Sequence, residues 1–537
     1  MRKTYGAGYP HTLSALLAWS GRSALAPAVT DERETLTRGA LQNRVLRVAA
    51  GLRKSGIGPG SRVALWLPNG VDYLAAIFAC ARLGALAIHI NTRFRAAEVG
   101  SLLRRTRAVA LVTEWGFAPV DFPAIFSALP DADRGAVRCV LAPQRSLNVA
   151  KLAGLPVVPL EAEAADAGPD QASGDGPCLT FTTSGTTSGP KLVLHDQQTI
   201  AGHAADVARR LALDADDAAL LGAVPLCGTF GNAAAMAAVA GGAHIVSLAH
   251  FDGDAAAALV RHHRLTHLIG GDDMFGRLAA AGGGRAFDTV RFSGFAAFHS
   301  SAAVSIAAAE AAGLKPHGLY GSSEVQALFS IAQGDNRLRG GGVPVSEQAR
   351  LAVRDPETGA ALPDGASGEL WIDAPSRFIE YLDNPSATAR AIDAGGVFRT
   401  GDLARLADKD FVYEARMGDA MRLGGFLVSP EEIEAVLQAE PGVDGVQVVS
   451  ASRDGNDPVP VAFVRPHAGA VLQEAALRAS CLRQLARFKV PERIVVVDEF
   501  PIVESPNGAK VQKVRLREMA QALLGEEQNR SRETRAG

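Results

Sequence analysis

The chain has 537 residues, of which 47% are hydrophobic and 21% charged, with a formal net charge of -3. That length exceeds what one hydrophobic core serves, so two or more domains are expected. The near-neutral charge argues against a dedicated nucleic-acid surface, which needs cations to displace counterions. The five cysteines stand singly, without metal-ligand spacing, and read as packing thiols of a reducing compartment. His262 and His263 are adjacent and point apart on a helix, so with His267 they make no metal site. The N-terminus, MRKTYGAGYPHTL, leads into no apolar signal-peptide core. The uncharged stretch Val71–His89 is broken by Asp72 and Arg82, and Ala218–Ser247 by Pro225 and Asn232. Neither suits a transmembrane segment, and a cytoplasmic protein is expected.

Taken in order, residues 40–54 carry a helical periodicity that stops at Lys54-Ser55-Gly56. Arg62–Leu67 is an apolar strand closed by Pro68-Asn69-Gly70. A helix over Val71–Leu83 ends at Gly84, followed by a strand over Leu86–Ile90, a helix over Ala96–Thr106 and a strand over Val109–Val112. Such alternation predicts βαβ units in an α/β fold of layered, largely parallel sheets. Glu161–Gly176 reads as a surface connection, and a second α/β stretch runs from Cys178 to about Tyr320. Short β-prone runs at Gly340–Val345 and Gly368–Ile372 form a small β-rich subdomain. Past Gly418 the pattern restarts: helix Pro430–Gln438, strands Val443–Ser450 and Val459–Val464, helix Leu472–Ala486, strand Arg493–Val497. The expected division is a large domain over 1–417, a small α+β domain over 418–524, and a solvated tail over 525–537.

The strongest local signal is Thr182-Thr183-Ser184-Gly185-Thr186-Thr187-Ser188-Gly189-Pro190-Lys191. It follows the apolar run Cys178–Phe181 and precedes Leu192-Val193-Leu194. Glycines let successive N–H groups converge, the hydroxyls donate, and Lys191 adds a mobile cation, which together suit a polyphosphate. No Gly-Lys-Ser/Thr is present, so this is not a Walker A loop. A Ser/Thr-rich surface linker is the plainer alternative, but linkers seldom join two apolar runs.

The stretch resembles the signature loop of the adenylate-forming superfamily, which includes acyl-CoA synthetases, adenylation domains of peptide synthetases and beetle luciferases. That loop usually reads Thr-Ser-Gly-Thr-Thr-Gly-x-Pro-Lys; here Ser188 stands at the usual glycine. Later motifs follow in the family's order. Tyr320-Gly321-Ser322-Ser323-Glu324 resembles Tyr-Gly-x-Thr-Glu, which implies an adenine face from Tyr320, a phosphate-facing hydroxyl from Ser323 and a Mg²⁺ ligand from Glu324. Thr400-Gly401-Asp402 resembles Thr-Gly-Asp, implying that Asp402 binds ribose. Arg416 matches the arginine of the hinge segment, with Gly418 and Asp419 as the hinge. Gly424 and Gly425 match a loop implied to approach the coenzyme A tunnel. Pro506–Lys513 resembles the segment carrying the adenylation lysine: Lys510 is the first candidate and Lys513 the alternative.

The resemblance implies a large domain joined to a mobile small one, with ATP, Mg²⁺ and coenzyme A as reactants or cofactor. Lys510, Lys191 and Thr186 are the implied catalytic set, and the whole Thr183–Gly189 loop the nucleotide cradle. Acyl-pocket walls are implied around Cys227, Gly228, Gly270, Asp272, Phe295, Ala296 and Phe298. Asp272 and Asp273 also suit the cap of a following helix. The function expected is an AMP-forming carboxylic acid–coenzyme A ligase for an aryl, alicyclic or short-to-medium aliphatic acid. Loading of a carrier-protein thiol and a non-catalytic nucleotide-binding scaffold are the alternatives. The sequence does not fix the oligomeric state.

Overall fold

A computed structural model describes every residue except 1, 119, 184–190, 283–285, 299–301, 418–420, 424, 425, 429, 453–457, 486, 506, 507 and 537. The chain forms two compact units: Met1–Ala296 with Ala307–Arg350 and Ile372–Phe398, and Ala297–Ile306 with Leu351–Trp371 and Arg399–Gly537.

The first unit holds, among its described residues, two nine-stranded sheets. One is centred on parallel strands Arg62–Trp66, Leu86–His89, Ala110–Thr113 and Cys139–Ala142. These are fully buried apolar runs, as strands covered on both faces must be. Helix Val71–Arg82 connects the first two strands, and helix Ala96–Thr106 follows the second, as the alternation predicted. A core of Trp66, Ile88, Leu111, Phe122, Phe126 and Val140 fills one side of this sheet. Each such side chain contributes about 1.5–3 kcal/mol by leaving water. At one edge the strand Pro177–Thr182 runs parallel to Leu86–His89, then returns antiparallel as Leu192–Asp196, on which the short strand Glu380–Tyr381 is laid.

The other sheet has a parallel centre of Ala219–Gly222, His244–Ser247, His267–Gly271, Phe292–Ala296 and Pro316–Ser322. Its last strand turns back antiparallel into Gln326–Ile331. Chemistry-bearing turns therefore close one hairpin near the edge of each sheet.

The second unit carries a four-stranded sheet ending in the antiparallel pair Phe398–Ala407 and Asp410–Arg416. Further along, helix Pro430–Gln438, strands Val443–Ser452 and Pro458–Pro466, helix Glu474–Gln484 and strand Arg493–Val496 follow the predicted order. Their apolar faces meet in one core around Ile433, Val448, Ala462 and Ile494, and in another around Phe463, Phe500, Leu516 and Leu524. The stretch read as a solvated tail is instead the end of a helix, Lys513–Ala536. Its Glu, Gln and Arg residues are good helix formers, and polarity alone does not argue against a helix.

Among the described residues no helix is long and apolar enough to cross a membrane. All five cysteines are buried and unpaired.

Candidate active site

The loop signature closes a β-hairpin. Leu192 pairs with Thr182 and Val193 with Phe181. Beyond the last pair, Thr183 N–H donates to the Lys191 carbonyl at 3.0 Å. Lys191 N–H in turn donates to Thr183 Oγ1 at 3.3 Å. Thr183 and Lys191 are thus held side by side at the mouth of the loop. Ser184, Gly185, Thr186, Thr187, Ser188 and Gly189 lie outside the described residues.

The second turn, Tyr320 to Gln326, is built under tight constraint. A Cβ on Gly321 would stand 2.6 Å from Ala327 Cα, so only glycine lets the two strands approach. Gln326 sits at φ +68 and Leu328 at +63, left-handed conformations that cost non-glycine residues energy. Gln326 is held there by its buried Nε2, which donates to the Thr199 carbonyl at 2.6 Å.

Ser323 is fixed by two contacts: its carbonyl accepts from His195 Nε2 at 2.7 Å, and its hydroxyl accepts from Thr229 Oγ1 at 3.0 Å. Burial pushes the His195 imidazole down to about 4, so the ring is neutral, and its Nε2–H makes this bond. Tyr320 is buried and meets Phe329 edge to face at 6.4 Å.

Glu324 is the outcome of this scaffold. It is 7% exposed. Its N–H donates to Ser322 Oγ at 3.2 Å, and its carbonyl accepts from Phe378 N–H at 2.7 Å. Tyr381 Oη donates to Glu324 Oε1 at 2.8 Å, and among the described residues Oε2 has no hydrogen-bond partner. Lys191 Nζ lies 4.6 Å from the centroid of the same Tyr381 ring. Lys191 and Glu324, 133 positions apart by their numbering, therefore share one neighbour. Sequence reasoning missed Tyr381, and also His195 and Gln326; none lies in a recognised motif.

A single carboxylate with one open oxygen suits Mg²⁺, which keeps several waters and takes its other ligands from phosphate. Among the described residues no group of three or more His, Cys, Asp or Glu is arranged to hold a metal as a closed cage.

In the second unit, Gly401 at φ +68 turns the chain so that Asp402 N–H meets Thr400 Oγ1 at 3.0 Å. Strand register sets Asp402 opposite Arg416, and Arg416 Nη1 donates to Asp402 Oδ1 at 2.6 Å and to the Thr400 carbonyl at 3.1 Å. The expected ribose-binding carboxylate and the arginine of the hinge segment are thus brought together. Lys510 lies on strand Gly508–Val511, paired with Val503 of Ile502–Ser505; its side chain is outside the described set. Lys513 begins the last helix, with Nζ 3.7 Å from Glu434 Oε1. Gly418, Asp419, Gly424 and Gly425 lie outside the described residues.

Of the expected acyl walls, Gly270 pairs with Phe295 and Gly271 with Ala296, so Gly270 and Phe295 are direct neighbours on the sheet. Cys227 is buried, which pushes its thiol up to about 11 and keeps it protonated. Gly228 is the N-cap of helix Thr229–Gly241. Gly271, not Asp272 or Asp273, caps the helix Asp272–Ala281; Asp272 falls in its first turn and is fully buried. Phe298 is half-buried. A small apolar cavity is lined by Leu74, Leu226, Gly231 and Ile269, next in sequence to the expected walls Cys227 and Gly270. Side chains alternate along a strand, so Ile269 faces the opposite side of the sheet from Gly270.

A hydroxyl-rich hairpin loop with a basal lysine, together with a buried carboxylate on a constrained turn, defines a nucleotide-handling enzyme. The AMP-binding enzyme family model matches residues 18–382, and the AMP-binding enzyme C-terminal domain model matches 432–506. The chain belongs to the AMP-binding enzyme family. It is 30% identical over 511 residues to 3-[(3aS,4S,7aS)-7a-methyl-1,5-dioxo-octahydro-1H-inden-4-yl]propanoyl:CoA ligase of Rhodococcus jostii, covering 91% of this chain and 95% of that one. It is also 30% identical over 482 residues to 2-succinylbenzoate–CoA ligase of Geobacillus kaustophilus, covering 88% and 91% respectively. ATP-bound MatB from Rhodopseudomonas palustris shares the fold with a TM-score of 0.80 at 24% identity, covering 95% of this chain and 99% of that one.

Proposed function

We propose that this chain is an ATP-dependent carboxylic acid–coenzyme A ligase that works through an acyl-adenylate. The observation that carries this reading is the cluster in which Lys191, at the foot of the hydroxyl-rich loop, and the half-open carboxylate of Glu324 meet around one tyrosine. Family membership and two thioester-forming relatives support it.

A carboxylate is a poor acyl donor because its leaving group would be oxide. Its oxygen therefore attacks the α-phosphorus of ATP; the bond to the bridging oxygen breaks and pyrophosphate leaves. The coenzyme A sulfur then attacks the acyl carbon and AMP leaves. Both steps need charge placed at phosphoryl oxygens more than they need an acid–base triad.

In this reading Lys191 and the loop hydroxyls hold the phosphates. Glu324 Oε2 would hold Mg²⁺, whose charge would offset that of the phosphoryl oxygens. Tyr320 packs on adenine, Asp402 accepts from ribose hydroxyls and Arg416 braces Asp402. Lys510 screens the repulsion between the attacking carboxylate and the phosphate. The hold of Glu434 on Lys513 supports this choice of lysine. Gly424 and Gly425 are assigned to the thiol approach and Gly418–Asp419 to the hinge.

The acid is assigned to the aryl, alicyclic or short-to-medium aliphatic class. Phe295 stands beside Gly270 as an apolar wall, and the Met274 thioether packs over Gly270, its Sδ 3.0 Å from where a Cβ would stand.

The test separates the half-reactions. Lys510→Ala should lower acid-dependent pyrophosphate release about 10²–10³-fold. Given synthetic acyl-adenylate and coenzyme A, the same variant should form thioester near the wild-type rate. An equal loss in both half-reactions, or a selective adenylation defect in Lys513→Ala instead, overturns the assignment. Thioester formed only on a carrier protein would overturn coenzyme A as acceptor.

A further inference from the structure

We propose that Tyr381 is a positioning residue that holds the metal-ligating carboxylate and the phosphate-binding lysine in one arrangement, through its hydroxyl and its ring respectively. The inference rests on the roles given above to Glu324 and Lys191.

Tyr381 is 3% exposed and is pinned from both sides. It pairs with Val193, and its flanking residues donate to the same strand: Ile379 N–H to the Leu194 carbonyl and Leu382 N–H to the Leu192 carbonyl, both at 2.8 Å. Its own N–H donates to Thr388 Oγ1 at 3.0 Å, and that hydroxyl donates to the Asn384 carbonyl at 3.0 Å. Asn384 caps the helix Pro385–Ala391. The ring packs on Phe378 with centroids 4.8 Å apart. A side chain so fixed has little rotamer freedom left to lose, which is what an orienting group requires.

Its two polar functions act separately. The hydroxyl occupies Glu324 Oε1, which selects Oε2 as the open oxygen and fixes the plane of the carboxylate. Losing a partner that orients a ligand in this way commonly costs about 10–100-fold in metal affinity. The ring face attracts the Lys191 ammonium through its quadrupole and holds it near the hairpin mouth. A phenylalanine would keep the second function and lose the first; a leucine would lose both.

The test measures ATP binding to the full chain by calorimetry, once with MgCl₂ and once with EDTA. The ratio of the two dissociation constants is the metal coupling. Tyr381→Phe should lower that coupling about 10–100-fold, the scale of losing a partner that orients a metal ligand, with affinity in EDTA unchanged. Tyr381→Leu should in addition weaken ATP binding in EDTA about 3–5-fold. In a Glu324→Gln background, Tyr381→Phe should have no further effect on coupling, because both act through one carboxylate. Circular dichroism verifies folding of each variant.

If Glu324→Gln abolishes the coupling while Tyr381→Phe keeps it, Tyr381 merely packs and the proposal is overturned. If Glu324→Gln keeps the coupling, the metal role of Glu324 fails first and the proposal falls with it.

Discussion

Gly321→Ala is the sharpest test of how the Glu324 turn is made. An added Cβ would lie 2.6 Å from both Ala327 Cα and the Gln326 carbonyl oxygen, against ordinary contact beginning at 3.4 Å. The neighbours are backbone, so no flexible tip can swing aside, and the paired strands must part by roughly 0.8 Å to restore contact distance. Gln326 cannot follow easily, because its left-handed backbone is anchored by the buried bond to the Thr199 carbonyl. Overpacking of this kind costs about 1–3 kcal/mol of stability. Most of the effect should fall on chemistry, since displacing a catalytic group by about 1 Å can cost 10²-fold in rate. Acid-dependent pyrophosphate release should therefore drop about 10²-fold while most of the protein remains folded at 25 °C. Gly58→Ala is the control, because a Cβ there meets nothing within 4 Å. Wild-type turnover and unchanged Mg²⁺ dependence in Gly321→Ala would refute the reasoning that this close approach sets the Glu324 geometry.

Asp402→Ala should raise the KM for ATP about 10–100-fold, the scale of losing hydrogen bonds to a charged acceptor, and leave Arg416 without that carboxylate. A lowered melting temperature with an unchanged KM would make Asp402 purely structural. Stability should also depend on pH through His89 and His195, which burial holds down to about 3 and about 4 from an ordinary value of 6.5. The unfolded chain takes up these protons below pH 6.5 while the folded chain does not. Stability therefore falls as pH drops from 6.5 towards 4, and these groups contribute no change between pH 7 and 9. Each should cost about 2 kcal/mol between pH 7 and 5, and a urea midpoint flat over that interval would contradict it.

Much of the fold is legible because its signals are local. The helix Ala96–Thr106 and the helix Pro430–Gln438 begin and end where periodicity and caps indicated. The central strands read as unbroken apolar runs because they are covered on both faces. The motif residues were legible as candidates: Lys191, Glu324 and Arg416 each lie on a turn or strand end, and Asp402, within its strand, meets Arg416 by register. The supporting contacts were not. Tyr381 reaches Glu324 across 57 residues, and His195 reaches Ser323 across 128. A lone tyrosine after an apolar run carries no periodicity that announces such a partner. The C-terminal helix was missed for the opposite reason. Its first turns carry the stripe Leu516, Met519, Ala520, Leu523 and Leu524, but the polar residues from 525 onward continue it without one, though their intrinsic propensity favours a helix.

Tyr381 belongs to the edge strand of one nine-stranded sheet, while Glu324 hangs from a turn near the edge of the other. This makes residues 377–388 an inherited joint between two halves of the large unit. A chimera that took residues 62–196 from one parent and 316–331 from another would have to choose whose joint to keep. With a mismatched joint, each sheet would fold on its own terms while the lysine and the carboxylate lost their common reference. Recombination breakpoints that keep residues 177–196, 316–331 and 377–388 from a single parent should therefore yield active enzymes far more often than breakpoints that divide them.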